Sequence, residues 1–311
     1  MEIYETQTEI GQRHNWLLSL IVTTLVSFGV LVLLQGIALA VLPFLFGITL
    51  EQIMGLMSGD FDVPNGRMAM YFVQGLGSGL GFLAAALIII RWIDKADIKW
   101  KLQLSRLNPK NLGLVLLITL GGMFFNAFLV FINSKLVLPE FLSDLEVWMK
   151  ATEDQLMEMT KFLTDFQSIP ELMAGILVIG ILAGIGEEFL FRGVLQAKLH
   201  KYLGSAHWGI WLTAGIFSAI HLQFYGFLPR LFLGAMFGYL YLYSGSLVYP
   251  IIAHIFINSF TVLMVYFSNE GLIDFDLEST DTVSYPFAFG GLLVLLIGIY
   301  YFKQTNRIQH E

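Results

Sequence analysis

Residues 17–42 read LLSLIVTTLVSFGVLVLLQGIALAVL, with no charged side chain in the run. A helix needs about 20 predominantly apolar residues to cross about 30 Å of hydrocarbon. Seven further apolar stretches follow, at 69–90, 112–133, 170–190, 205–222, 228–244, 246–267 and 286–302. In lipid the backbone satisfies its own hydrogen bonds only as helix or closed barrel, and none of these stretches alternates with the period of a barrel strand. The pattern predicts an all-α polytopic membrane helix bundle of about eight transmembrane helices, with residues 1–311 as a single membrane domain. Composition agrees: 56% of the 311 residues are hydrophobic, only 13% are charged, and mean hydropathy is +0.72, against about 25% charged in soluble domains. An ordinary soluble enzyme is excluded. So is a nucleic-acid partner, because a net charge of -7 and a pI near 5.4 leave no basic face for a phosphate backbone. With no cysteine, any chemistry rests on carboxylates, imidazoles, hydroxyls and amides.

Loop charge orients the bundle. Residues 91–111 carry Arg91, Lys95, Lys99, Lys101, Arg106 and Lys110, whereas 134–169 is dominated by Glu140, Asp144, Glu146, Glu153, Asp154, Glu158 and Asp165. Basic loops stay cytoplasmic. Alternating from there puts Arg192, Lys198, Lys201, Lys303 and Arg307 inside, and the acidic loop of Glu270, Asp274, Asp276, Glu278 and Asp281 outside. The reading is a multi-pass protein of a bacterial cell membrane with both termini cytoplasmic. Ala38-Leu39-Ala40 resembles a signal-peptidase site, but the leader is acidic (Glu2, Glu5, Glu9) and the apolar stretch exceeds a signal peptide's, so an uncleaved helix is expected. Segment 141–167 spaces Leu142, Leu145, Trp148, Met149, Leu156, Met159, Phe162 and Leu163 among acids as an amphipathic interfacial helix does. We expect a surface helix there, without a catalytic part.

Ionisable groups within spans are functional candidates, since a charge at the bilayer centre costs about 2.5–3.5 kcal/mol on insertion scales. They are Glu187, Glu188, Arg192, His221 and His254, joined by the amides Asn126, Asn133 and Asn258. Glu188 and Arg192 stand at i and i+4, in the order that favours an ion pair. Glu187 points about 100° away, in line with the small residues Gly180, Ala183 and Gly184, where a helix or a substrate backbone can approach closely. Glu187 reads as the working carboxylate; the alternative is that both acids snorkel near the interface with Arg192. His254 and Asn258 share one face of an apolar helix and suit a developing oxyanion, or else they hydrogen-bond neighbouring helices. His221 lies near a helix end, where a histidine is commonly a simple hydrogen-bonded residue.

Depth tests convergence. His254 and Asn258 stand about 12–18 Å above the inner end of their helix at 1.5 Å per residue, which matches Glu187. A straight helix from Ser205 would carry His221 about 24 Å inward, too far. Either that helix begins nearer Trp208 and tilts strongly, or its boundary lies elsewhere.

Together, Glu187-Glu188 with Arg192 (EExxxR), Phe217 with His221 (FxxxH) and His254 with Asn258 (HxxxN), with Gly234 and Gly238 between the last two, resemble the CPBP intramembrane proteases. That family includes CAAX prenyl endopeptidases of the Rce type and bacteriocin self-immunity proteins. The resemblance covers roughly 170–262, a CPBP-like catalytic core. It implies eight helices around an intramembrane catalytic chamber. Glu187 and His221 would activate a water, His254 and Asn258 would hold the oxyanion, and Glu188 and Arg192 would brace the site. The implied activity is a peptidase: an intramembrane endopeptidase acting on membrane-associated or lipidated proteins or peptides, with no cofactor.

Three alternatives stay open. Glu187, His221 and His254 are also the ligand types of a zinc metalloprotease, although no HExxH occurs. The polar cluster could instead fix helix packing in a non-enzymatic immunity or adaptor protein, or relay protons in a transporter.

Overall fold

Each apolar run becomes a helix because the residues flanking it satisfy the ends. Ser168 and Ser205 accept hydrogen bonds from Glu171 N and Trp208 N, and Asn108 accepts one from Asn111 N. Gly47, Gly204 and Gly245 stop helices in left-handed geometry, at φ 68°, 68° and 66°. The computed structural model describes residues 6–275 and 283–307, so Glu2, Glu5, Asp276, Glu278 and Asp281 lie outside the described residues.

The helices are α1 (Trp16–Phe46), α2 (Leu50–Ser58), α3 (Gly66–Ile93), α4 (Ile98–Leu102), α5 (Pro109–Ser134), α6 (Ser143–Thr164), α7 (Ile169–Leu203), α8 (Ala206–Ala219), α9 (Phe227–Ser244), α10 (Val248–Asn269) and α11 (Tyr285–Arg307). No strand occurs among the described residues. The molecule is a helical membrane bundle. Among the described residues six helices, α1, α3, α5, α7, α10 and α11, are long and apolar enough to cross a bilayer. Large side chains such as Phe28 (67% exposed), Leu33 (61%) and Leu293 (60%) face outward, as lipid-facing residues do.

The other two predicted spans are helical but different. Helix α8 has 14 residues, about 21 Å at 1.5 Å per residue, and does not reach across. Helix α9 has 18 residues and dilutes its apolar side chains with Arg230, Tyr239, Tyr241 and Tyr243. The expected span 205–222 therefore ends early: α8 starts where Ser205 caps it and stops at Ala219, and His221 sits in the turn that leads back into α9. Leu222 adopts φ 55° there, a sharp bend within the bundle. Asn133 of α5 holds this turn, donating to Phe224 O at 2.9 Å and accepting from Leu228 N at 2.6 Å.

Predicted helix 141–167 forms as α6 and lies across the opposite end of the bundle from the basic segment 91–111. Its end is pinned by Tyr71 Oη donating to Leu163 O, by Arg67 donating to Phe162 O at 2.7 Å, and by Asn269 donating to Thr164 O at 3.1 Å. At the basic end, Leu247 N bonds Lys101 O at 3.0 Å and Arg106 bonds Ser244 O at 2.9 Å. Gln7 N bonds Asp94 O at 3.0 Å and Asn111 bonds Asn306 at 3.0 Å, so residues near both ends of the described chain gather there.

Glycines let α7 enter the centre. A Cβ on Gly186 would collide with the Gly79 carbonyl oxygen of α3, and one on Gly184 would stand 2.9 Å from Ile255 Cγ1 of α10. The small-residue stripe predicted beside Glu187 is thus filled by α10, which brings His254 alongside.

Candidate active site

Helix α7 widens into π geometry over Ile176–Leu182 and Phe189–Gln196, on either side of the adjacent acids. Such local widening is common at functional sites. Glu188 and Arg192 are both fully buried and pair at 2.7 Å, as their spacing predicted. The Arg192 guanidinium also donates to Gly234 O at 2.9 Å and lies between the Phe217 and Phe237 rings, 4.9 and 5.3 Å from their centroids. A Cβ on Gly234 would stand 3.3 Å from Arg192 Nη2, so the glycine makes room for this contact.

The same Glu188 Oε1 accepts a hydrogen bond from His254 Nδ1 at 2.8 Å. A carboxylate only accepts, so the His254 proton is on Nδ1 and Nε2 is left facing Glu187 Oε2, 3.7 Å away. The imidazole is stacked on Phe237 at 4.9 Å and 21°, which fixes its plane. One ion pair thereby orients the histidine that stands against the second glutamate. Glu187 is in electrostatic reach of His254, Glu188, Arg192 and Arg230.

Asn258, one turn beyond His254, donates from Nδ2 to Ile179 O at 2.9 Å. That leaves the second N–H of its amide for another acceptor. His221 donates from Nδ1 to Phe217 O at 2.7 Å, leaving Nε2 as an acceptor. Phe217 lies edge-on to both imidazoles, at 4.8 Å from His221 and 6.2 Å from His254. Arg192 of α7, His221 of the turn after α8 and His254 of α10 therefore surround one aromatic ring. Of the two imidazoles, that of His254 lies within 4 Å of the Glu187 carboxylate. No group of three or more His, Asp or Glu placed to hold a metal ion occurs among the described residues.

Sequence reading missed Arg230. It lies in the first turn of α9, held by Gln223 through its main-chain carbonyl at 3.3 Å and its side-chain Oε1, and it reaches Glu187, Glu153 and His221 electrostatically. Its signal was an arginine inside the predicted span 228–244. Glu153 of α6 accepts from Tyr225 N at 3.2 Å. Burial pushes its carboxyl upward, opposed by the Tyr225 N–H and by Arg230.

Beyond Asn258 a cavity of about 350 Å³ extends between α6, α10 and the wide turn of α7, reaching Leu156, Met159, Gln223, Thr261 and Val265. It falls in the usual size range of ligand pockets, about 300–1,000 Å³.

Among known proteins, the chain is 36% identical over 103 residues to an uncharacterized 24.3 kDa protein of Escherichia coli, covering 31% of this chain and 46% of that one. It is 29% identical over 107 residues to the uncharacterized protein YpbD of Bacillus subtilis (strain 168), covering 33% and 50%. The chain thus spans about half the length of the curated relatives it matches. No solved structure matches it at a significant level. Residues 169–260, which contain all three motifs and the Glu187–His254 pair, match the type II CAAX prenyl endopeptidase Rce1-like family, the family of membrane proteases to which the motifs pointed.

Proposed function

We propose that the protein is an intramembrane endopeptidase in which Glu187 activates a water. The observation that carries this reading is the Glu187–His254 pair, at 3.7 Å, with the far side of the imidazole held by Glu188 at 2.8 Å. A water between Glu187 Oε2 and His254 Nε2 gives up a proton to the carboxylate as its oxygen attacks a peptide carbonyl. The tetrahedral oxyanion takes the spare N–H of Asn258, whose other N–H is anchored on Ile179 O. The proton held by Glu187 and His254 then passes to the leaving amine as the C–N bond breaks. Glu188 and Arg192 act through His254 by fixing its orientation. His221, with Nε2 unprotonated, is a second acceptor at the rim. No step requires a metal.

The substrates in this reading are peptides or membrane-protein segments within the bilayer. The basic segment 91–111 lies at the same end as Gln7 and Asn306, and under the positive-inside rule that end faces the cytoplasm.

Glu187→Gln tests the proposal, since it removes the base at nearly constant volume. Purified wild-type protein should hydrolyse members of an internally quenched peptide mixture in micelles, and the variant, equally folded, should not. Membranes of cells carrying the variant should accumulate uncleaved protein. Equal activity of the two forms, or complete loss of wild-type activity with EDTA and its return with zinc, refutes the mechanism.

A further inference from the structure

Three polar atoms buried between α7, α8 and α9 take no part in the chemistry above, and none has a hydrogen-bond partner among the described residues: Arg192 Nε, Gln196 Oε1 and Thr213 Oγ1. We propose that they are the ligands of one buried water molecule, and that Gln196 and Thr213 thereby act as positioning residues for Arg192 and, through Glu188, for His254. The water site stands without the peptidase reading; the positioning role rests on it.

Convergence comes first. Arg192 and Gln196 stand one turn apart on one face of α7, and long helical side chains lean back over the preceding turn. The Gln196 amide therefore lies over the turn that carries Arg192. Helix α9 keeps step: Arg192 donates to Gly234 O at 2.9 Å and Gln196 Nε2 to Gly238 O at 3.1 Å, four residues along in both helices. Helix α8 runs the other way. A Cβ on Gly238 would stand 2.8 Å from Ile210 Cγ2, one on Gly234 3.1 Å from Ala214 Cβ, and one on Gly209 3.3 Å from Gln196 O. The Phe217 ring covers Arg192 at 4.9 Å. Thr213 is one turn from Gly209 and one turn from Phe217, which puts it between the levels of Gln196 and Arg192.

The hydrogen bonding comes second. Arg192, Gln196 and Thr213 are 0%, 3% and 1% exposed, and a buried polar group left without a partner bears its full desolvation cost. Helical threonines elsewhere in the bundle avoid that cost on their own helix: Thr119, Thr160, Thr164 and Thr261 donate to the carbonyl one turn back at 2.7, 2.8, 2.8 and 3.0 Å. Thr213 does not. The three groups complement a water molecule, since Nε only donates, Oε1 only accepts and the hydroxyl does either. Water that accepts from Arg192 and donates to Gln196 keeps a proton and a lone pair for Thr213, and three partners are typical of a buried water.

The consequence reaches the site. Glu188 holds Arg192 Nη1 at 2.7 Å and Gly234 O holds Nη2 at 2.9 Å, so Nε is the remaining edge of the guanidinium. A ligand on that edge stops the group from rocking on the other two. Glu188 Oε1 serves Arg192 and His254 alike, so a displaced arginine moves the imidazole that faces Glu187.

Crystals of the full chain grown from a lipid mesophase, at a resolution that shows ordered water, should carry density within about 3.2 Å of all three atoms. Thr213→Val keeps the shape of the side chain and removes its hydroxyl, and that density should disappear. In peptide hydrolysis Thr213→Val should lower kcat about tenfold or more with KM unchanged, as a misoriented group does. Thr213→Ser keeps the hydroxyl and gives up the methyl, so it should recover most of the loss; a packing role predicts the reverse order. Three ordered side chains with nothing between them, wild-type kcat in Thr213→Val, or equal impairment in Thr213→Ser and Thr213→Val overturns the proposal. Density in a wild-type protein that hydrolyses no peptide keeps the water site and rejects the peptidase, whereas hydrolysis by a wild-type protein without that density rejects the water site and keeps the peptidase.

Discussion

Arg192→Met should separate stability from catalysis. The guanidinium is fully buried, bonded to Glu188 at 2.7 Å and to Gly234 O at 2.9 Å, with aromatic faces on two sides. Removing it leaves the Glu188 carboxylate at 0% exposure, bonded to His254 Nδ1. Breaking a buried pair by deleting one partner costs about 3–5 kcal/mol, while Gly234 O keeps its place in the hydrogen-bond ladder of α9. Against a total stability of about 5–15 kcal/mol, the single variant should be severely destabilised. Arg192→Met/Glu188→Leu removes both charges, and apolar replacement of a buried pair is commonly neutral or stabilising, so most of the unfolding midpoint should return. Activity should not, because His254 Nδ1 has lost its acceptor and Nε2 is no longer aimed at Glu187. Thermal unfolding in micelles, followed by circular dichroism, is measured beside peptide hydrolysis. A single variant with a wild-type midpoint, or a double variant as unstable as the single, would show that the pair does not carry the structural cost argued here. A double variant with wild-type hydrolysis would remove the positioning role of Glu188.

Asn258→Ala should stay folded and lose about 100- to 1,000-fold in hydrolysis rate, the usual cost of one oxyanion donor; a loss under tenfold would take Asn258 out of the chemistry. Gly186→Ala drives a methyl into the Gly79 carbonyl oxygen and should cost about 1–3 kcal/mol or more. Gly215→Ala meets nothing within 4 Å and should be neutral or stabilising by up to about 1 kcal/mol; equal midpoints for the two would contradict the crossing of α3 and α7. Lys101 lies outside the spans, and burial lowers its pKa from 10.5 to about 7, opposed by Asp94 and assisted by Lys198. Between those values the unfolded chain binds the proton that the folded chain has released, so stability should rise with pH from about 7 toward 10. Lys101→Met should flatten that rise, and a slope unchanged by the substitution would exclude Lys101 as its source.

Much of this was legible in the sequence because lipid permits few solutions. Apolar runs of span length must be helices, and charges inside them are too costly to be incidental, which is how Glu187, Glu188, Arg192 and His254 stood out. The i, i+4 spacing gave the Glu188–Arg192 pair outright, since helix geometry alone brings those side chains together. His221 could not be located that way: where α8 ends depends on Asn133 of α5 gripping the turn, a contact between residues about ninety positions apart. The partner of Glu187 was equally out of reach, because it depends on how closely α10 crosses α7 over Gly180 and Gly184. The same holds for α6, whose amphipathic pattern identified a helix but not what it covers. Periodicity is a property of one segment, whereas a cavity is the gap between several, and only their packing decides its walls.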